Sequence, residues 1–121
     1  MILHVVLYQP KASATREELS ELASALEAAS RGIPSIKQVR VGKAVDFGFG
    51  YSNWPKDQNN GNVAVFEFID RPALEAYLAH ESHKRLAAAF WNTCNQPLII
   101  DVSALDPSVD DMNAVFGQSI K

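Results

Sequence analysis

Cysteine is nearly absent from this chain, which has 121 residues and a single cysteine, Cys94. One cysteine cannot form an intrachain disulfide, so a disulfide-bridged secreted scaffold is excluded and a reducing compartment is expected. The chain also lacks an apolar run long enough to span a bilayer. Its first residues, MILHVVLYQP, have no basic segment and no cleavage site of the signal-peptide type. These absences predict a cytoplasmic protein without a membrane partner.

An excess of positive charge is absent as well, because 11 basic and 14 acidic residues give a net charge of −3. The basic residues are scattered, so a nucleic-acid partner is not expected. The hydrophobic fraction of 47% is ordinary for a globular protein and the length suits one domain. We therefore assign residues 1–105 to the domain. Residues 106–121 are interpreted as a C-terminal tail or an arm that packs on a partner.

Motifs for cofactors are missing too. The sequence contains no phosphate-binding loop, no dinucleotide fingerprint and no nucleophile elbow. His80 and His83 are three residues apart, but no third ligand follows at the spacing of a metal motif. We therefore expect neither a cofactor nor a metal. Cys94 is interpreted as a small buried hydrophobic residue.

Apolar alternation and helical periodicity predict the order β-α-β-β-α-β, which is the α+β ferredoxin-like arrangement. The predicted strands span residues 2–9, 35–45, 62–69 and 97–105. The first helix begins at the capping box Thr15–Glu18 and is predicted to stop at Gly32. A second helix is predicted from its cap Asp70 to Asn95. Residues 46–61 are predicted to be a long loop. If the protein is an enzyme, its aromatic residues (Phe47, Phe49, Tyr51 and Trp54) could close over the substrate.

The first and third strands are apolar on both faces, and this pattern has a consequence for assembly. Helices on one face of a four-stranded antiparallel sheet leave the other face open, and no further element is long enough to cover it. A second copy of the same sheet would cover it. The pattern therefore predicts a homodimer that forms through the open sheet face and has a barrel-like core.

Residues 76–86, AYLAHESHKRL, contain the candidate catalytic residues. Tyr77 and His83 fall on the inward stripe of the predicted helix, and His4 alternates with the apolar residues of the first strand. A histidine exchanges protons near neutral pH, and a tyrosine hydroxyl can orient a carbonyl or an enol. The three could abstract a proton next to a carbonyl group. The alternative is that they are hydrogen-bonded core residues without a catalytic role.

Four stretches carry a resemblance to a known family: HVVLY, IPSIKQVRVGK, VAVFEF with Asp70, and LEAYLAHESH. Together, over about residues 2–105, they resemble the stress-responsive A/B barrel domain (Dabb) family. The resemblance implies the ferredoxin-like fold, with helices on one face of the sheet. It also implies a dimer whose two sheets form an α/β barrel.

Most members of this family have no assigned activity, but one plant member closes a linear polyketide by an aldol step. The resemblance implies that Tyr77 and His83 match its catalytic residues and that His4 matches a pocket histidine. Tyr8 and Phe90 are predicted to complete the ligand-binding site. One departure is Glu81, which replaces the proline that usually follows the first histidine of the motif.

Two functional hypotheses follow. The first is a homodimer of unassigned activity that binds a small organic molecule between the helices and the sheet. The second is a cofactor-independent polyketide cyclase or lyase with a His-Tyr acid–base pair, or a cofactor-independent monooxygenase of the same fold.

Overall fold

A computed structural model describes residues 1–51 and 61–117 of the chain. Part of the predicted aromatic loop, including Trp54, lies outside the described residues. The elements follow in the order β1 (Ile2–Tyr8), α1 (Arg16–Gly32), β2 (Gln38–Lys43), β3 (Asn62–Phe68), α2 (Arg71–Ala79), α3 (Glu81–Thr93), β4 (Leu98–Ser103) and α4 (Val109–Val115).

The four strands form one antiparallel sheet in the order β2-β3-β1-β4. The long central strands β1 and β3 pair along their whole length, with His4 opposite Phe66. On the other side of β1, His4 is opposite Asp101 of β4. Paired residues on adjacent strands share a face of the sheet, so these three side chains point the same way. The ferredoxin-like α+β fold predicted from the sequence is confirmed.

The core lies between the helices and one face of the sheet. Val6 and Tyr8 of β1 and Phe66 and Phe68 of β3 are buried on this face. On the helix side, α1 packs against α3, and its buried stripe includes the small residues Ala25 and Ala29. Alternate strand residues point to opposite faces, which is why every second residue of β1 and β3 is buried here.

Helix α1 begins at the predicted capping box and ends one residue later than predicted. The capping box is present, because the Thr15 hydroxyl accepts from the Glu18 N–H and the Glu18 carboxylate accepts from the Thr15 N–H. The predicted stop at Gly32 is displaced by one residue, since Gly32 is still helical and the cap is Ile33 in an extended conformation. The cause is Pro34, which disfavours the helical conformation in the residue before it.

The second predicted helix is divided in two at His80. This residue is extended (φ −74°, ψ 144°), and its ring nitrogen Nδ1 accepts a hydrogen bond of 3.0 Å from the backbone N–H of Ser82. His80 therefore ends α2 and caps the start of α3. The overall order β-α-β-β-α-β is kept, with its second helical unit formed by two segments that change direction at this point.

The opposite face of the sheet is here called the open face. Most of it is aliphatic: Leu3, Val5 and Leu7 of β1, Val63 and Val65 of β3, and Leu98, Ile100 and Val102 of β4. Its β2 side is polar, because Glu67 of β3 and Gln38 and Arg40 of β2 share this face. The β4 members are between 38% and 57% exposed. No described helix covers them, because the helices that pack on the sheet lie against its other face.

Residues of the predicted tail form a short helix, α4, that the sequence analysis did not predict. Ser108 caps it by accepting from the backbone N–H of Asp111. None of its residues is buried, and Val109 and the following Phe116 are more than two-thirds exposed. The tail thus carries apolar surface that the single chain does not cover.

We expect Phe66→Ala to lower the free energy of unfolding by about 3–5 kcal/mol, because the fully buried ring would leave a cavity in the core. Phe47→Ala is the matched control, since the Phe47 ring is 74% exposed and its loss should cost less than about 0.5 kcal/mol. Urea unfolding followed by circular dichroism measures both. Equal losses for the two variants would contradict the core described here.

Candidate active site

Tyr77 and His83 meet where α2 ends and α3 begins. Their ring centroids are 4.6 Å apart, and the rings contact edge-on. Tyr77 is only 2% exposed and also contacts the rings of Phe66 and Phe68. The break at His80 turns the chain so that the first turn of α3 brings His83 beside Tyr77. The structure thus brings together the two residues that the sequence analysis predicted as catalytic.

The orientation of the His83 ring is defined by one backbone group. Its Nδ1 atom lies 3.1 Å from the carbonyl oxygen of Leu78. A carbonyl only accepts, so Nδ1 carries a hydrogen and donates it. In the neutral ring the lone pair is therefore on Nε2, which becomes the nitrogen that can take up a proton.

Burial lowers the pKa of His83, because desolvation disfavours the charged ring. The bond to the Leu78 carbonyl acts in the opposite direction, and the nearby His4 adds to the lowering. With its pKa lowered, His83 is neutral at pH 7 and has the lone pair that a general base requires.

The Tyr77 hydroxyl forms no hydrogen bond to another residue in the parts of the chain that the structure describes. Burial raises the pKa of Tyr77 above its ordinary value, so the hydroxyl keeps its proton at neutral pH. Within residues 1–51 and 61–117, it is therefore a hydrogen-bond donor without an acceptor. Such a donor can bind a carbonyl oxygen and stabilise the negative charge that develops on it.

His4 faces the same space from the strand side. Its ring is edge-on to Tyr77, with centroids 5.7 Å apart, and its Nδ1 is 2.6 Å from an oxygen of Asp101. The Asp101 carboxylate accepts from Nδ1, which leaves Nε2 of His4 for a ligand. Asp101 was not predicted as a site residue. Its signal in the sequence is that it is the only charged residue in the apolar strand LIIDVS.

These side chains surround a cleft of about 50 Å³ between α3 and the sheet. It is lined by His4, Val6, Tyr77, His83, Leu86, Ala87, Phe90, Trp91, Pro97 and Ile99. Of the predicted ligand-binding residues, His4 and Phe90 line this cleft. Tyr8 is not part of the lining, because it packs behind Phe90 with ring centroids 4.9 Å apart. The positions of Trp91, Pro97 and Ile99 in this lining were not predicted from the sequence.

Cys94 and His80, the other candidate reactive residues, do not line the cleft. Cys94 is buried, and that burial raises the pKa of its thiol, so it is a poor nucleophile. His80 uses Nδ1 for the cap of α3.

Within residues 1–51 and 61–117, no three His, Cys, Asp or Glu side chains are grouped as a metal ion would require. None of the helices in these ranges has the length and apolar content to span a bilayer.

Residues 2–104 match the family described as the stress responsive A/B barrel domain, Dabb. The match covers most of the chain, and the protein therefore belongs to this family. Its fold is that of the dimeric ferredoxin-like relatives. No curated protein sequence matches the chain significantly.

Solved structures show the same fold at low sequence identity. The Arabidopsis thaliana protein At3g17210 is 23% identical, with a TM-score of 0.70 over 90% of this chain and 100% of that one. A dimeric ferredoxin-like protein of unknown function from Jannaschia sp. CCS1 is 21% identical, with a TM-score of 0.67 over 85% and 98%. A hydroxynitrile lyase from Passiflora edulis is 12% identical, with a TM-score of 0.70 over 88% and 94%.

We expect the lowered pKa of His83 to make folding stability depend on pH. Below the ordinary histidine pKa of about 6.5, the unfolded chain binds a proton that the folded site resists. The free energy of unfolding should therefore increase with pH from the folded pKa up to about 6.5 and then level off. His83→Gln should reduce this slope. NMR titration of the ring carbons gives the pKa directly, and a value at or above that of an exposed histidine would contradict the assignment.

Proposed function

We propose that this protein is a homodimeric enzyme that binds a small organic molecule between the helices and the sheet and abstracts a proton next to its carbonyl group without a cofactor. The observation that supports the proposal most is the pairing of Tyr77 with His83. Tyr77 offers a hydroxyl donor that has no acceptor among the described residues. His83 offers a basic nitrogen whose orientation is defined by the Leu78 carbonyl.

In the proposed reaction, Nε2 of His83 takes a proton from the carbon beside the carbonyl. The electron pair of the broken C–H bond forms the C=C bond of an enolate, and the negative charge moves to the carbonyl oxygen. The Tyr77 hydroxyl donates a hydrogen bond to this oxygen. The enolate then attacks a second carbonyl or expels a leaving group, and His83 returns its proton to the product.

His4 is proposed as the pocket residue that orients the substrate from the sheet side. Its ring is defined by Asp101 through a bond of 2.6 Å, as a carboxylate commonly fixes the orientation of an imidazole. The alternation of β1 holds it on the same face as Val6, so it is buried in apolar surroundings. A polar group in such surroundings interacts more strongly with a ligand than it would in water.

The homodimer is proposed on the basis of the open face, whose aliphatic residues require a cover. Contiguous exposed apolar surface on this scale is typical of an interface. The Jannaschia relative of the same fold is described as dimeric, which supports the proposal. The exposed apolar residues of α4 follow directly after β4, so we propose that residues 106–117 act as an arm that packs on the partner.

Two alternatives make different predictions. A protein that only binds a small molecule would not accelerate proton exchange at all. A cofactor-independent monooxygenase of the same fold would consume oxygen with its substrate, whereas a cyclase or lyase would not. Oxygen uptake therefore separates these classes. The cytoplasmic location stays a prediction.

We expect the wild-type protein to accelerate exchange of the methyl hydrogens of acetone with D₂O, which ¹H NMR follows. Acetone is a suitable probe because its reacting part is small enough for the cleft. His83→Gln should slow the catalysed exchange by at least about 100-fold, because the base is lost. Tyr77→Phe should also slow it by about 100-fold, because the enolate loses its donor while the ring packing remains.

The control for this experiment is Glu27→Gln, which changes an exposed residue of α1 outside the cleft. Its exchange rate should stay within about twofold of the wild type, as expected for a residue with no contact to the reacting atoms. If His83→Gln and Tyr77→Phe exchange acetone as fast as this control, the acid–base mechanism is wrong.

We expect Ile100→Asp to convert the dimer to a monomer, because it places a charge among the aliphatic residues of the open face, opposite Val5 of β1. Size-exclusion chromatography with light scattering measures the mass. The matched control is Ile69→Asp, at a residue that is 68% exposed and lies outside the sheet. A dimer that persists in Ile100→Asp, with the fold intact by circular dichroism, would show that the interface is elsewhere.

A further inference from the structure

A second concave surface lies between α2 and the edge strand β4. This groove has a volume of about 400 Å³. It is lined by Ile2, Arg71, Leu74, Glu75, Leu78, Asp101, Val102 and Ser103. Its apolar residues come from three elements, β1, α2 and β4, so the groove belongs to the folded domain and not to a single loop.

The cleft and the groove differ in volume, and this difference indicates a different role for each. The cleft at Tyr77 and His83 has a volume of about 50 Å³, which is the space of one or two water molecules. The reacting atoms fit there, but the body of an organic substrate does not. The groove, at about 400 Å³, is within the size range of small-molecule sites and offers space for roughly ten heavy atoms.

The groove and the cleft are adjacent through two residues. Asp101 lines the groove, and its carboxylate is 2.6 Å from His4, which lines the cleft. Leu78 also lines the groove, and its carbonyl oxygen holds the ring of His83. A ligand in the groove therefore lies beside Asp101 and Leu78, the two residues that orient the rings of His4 and His83. The Asp101 side chain is 53% exposed, so a ligand in the groove can reach its carboxylate while that carboxylate stays bonded to His4.

The charges around the groove favour a neutral ligand. Arg71 and Glu75 form an ion pair of 2.8 Å at the rim, and both side chains are largely exposed. This pair leaves the rim without net charge. Asp101 adds a carboxylate at the inner end, and a second anion beside it would be repelled. One of its oxygens is bound to His4. The other can accept a hydrogen bond from a hydroxyl group.

We propose that this groove binds the aliphatic body of the substrate, so that only the reacting end reaches His83 and Tyr77. The ligand class is a neutral aliphatic compound of roughly eight carbons with a hydroxyl or carbonyl group at the end near Asp101. The proposed role of the groove rests on the proposed acid–base function, because the groove would hold the substrate of that reaction. Binding of a ligand to the groove can be tested without catalysis.

The test uses 1-octanol and octanoate as probes, since neither has a ketone that the site could turn over. Binding to the full-length protein is measured by NMR titration, with intermolecular NOEs to locate the probe. We expect saturable binding of 1-octanol with NOEs to the methyl groups of Ile2, Leu74 and Leu78. Octanoate should bind at least about tenfold more weakly, because its carboxylate meets that of Asp101.

Leu78→Trp fills the groove with a larger side chain and should weaken 1-octanol binding at least about tenfold. The control is Leu19→Trp, because Leu19 and Leu78 are similarly exposed, at 40% and 42%, and Leu19 lines neither space. The control should change the affinity by less than about twofold.

Three results would overturn the proposal. Octanoate binding as tightly as 1-octanol would exclude the neutral class. NOEs only to the open face, for example to Leu98 and Ile100, would place the probe outside the groove. Equal affinities in Leu78→Trp and Leu19→Trp would show that the groove is not the site. None of these results affects acetone exchange, so failure of the groove and failure of the acid–base function are distinguishable.

Discussion

The requirement that the central strand β1 bury apolar side chains on both faces organises this protein. One face is covered by the helices, and this alternation carries His4 into the core together with Val6. The other face has no cover within the described residues, so the same strand creates the need for a partner. The fold, the position of one site residue and the proposed interface are therefore consequences of one pattern. Strand β4 extends that pattern to the edge, where its register places Asp101 beside His4.

The chemistry of the site depends on a second, more local feature, which is the break at His80. A continuous helix from residue 71 to 93 would leave no terminal carbonyl available near His83. Because α2 ends at Ala79, the carbonyl of Leu78 is free to accept from the His83 ring. The break that turns the chain thus also selects which nitrogen of His83 is basic. His80, which was considered from the sequence only as a metal ligand together with His83, acts as a cap.

The sequence predicted what local periodicity controls. The alternation of β1 grouped His4 with Val6 and Tyr8 on one face, and the structure shows that this is the helix face. The capping residues Thr15 and Asp70 marked the starts of two helices, as the structure shows. It did not predict the role of Asp101, because that residue is 97 positions from His4 and meets it only through strand register. Nor did it predict the cap at His80, since a histidine is not among the preferred capping residues and the apolar stripe continues past it. The position of Tyr8 behind Phe90 was missed for a related reason. Both belong to apolar stripes that face the core, and only packing decides which of them reaches the cleft.

The fold alone does not select a reaction, because relatives with this architecture include proteins of unknown function and a hydroxynitrile lyase. The polar groups inside the apolar core are more selective. Keeping Tyr77, His83 and His4 in such surroundings costs stability unless each finds a partner. The two histidines have partners, a backbone carbonyl and a carboxylate, but the Tyr77 hydroxyl has none among the described residues. A donor in the core that has no partner among the described residues, and that a ligand would satisfy, distinguishes this core from one built for stability only. That difference is the physical reason for proposing a ligand site between the helices and the sheet.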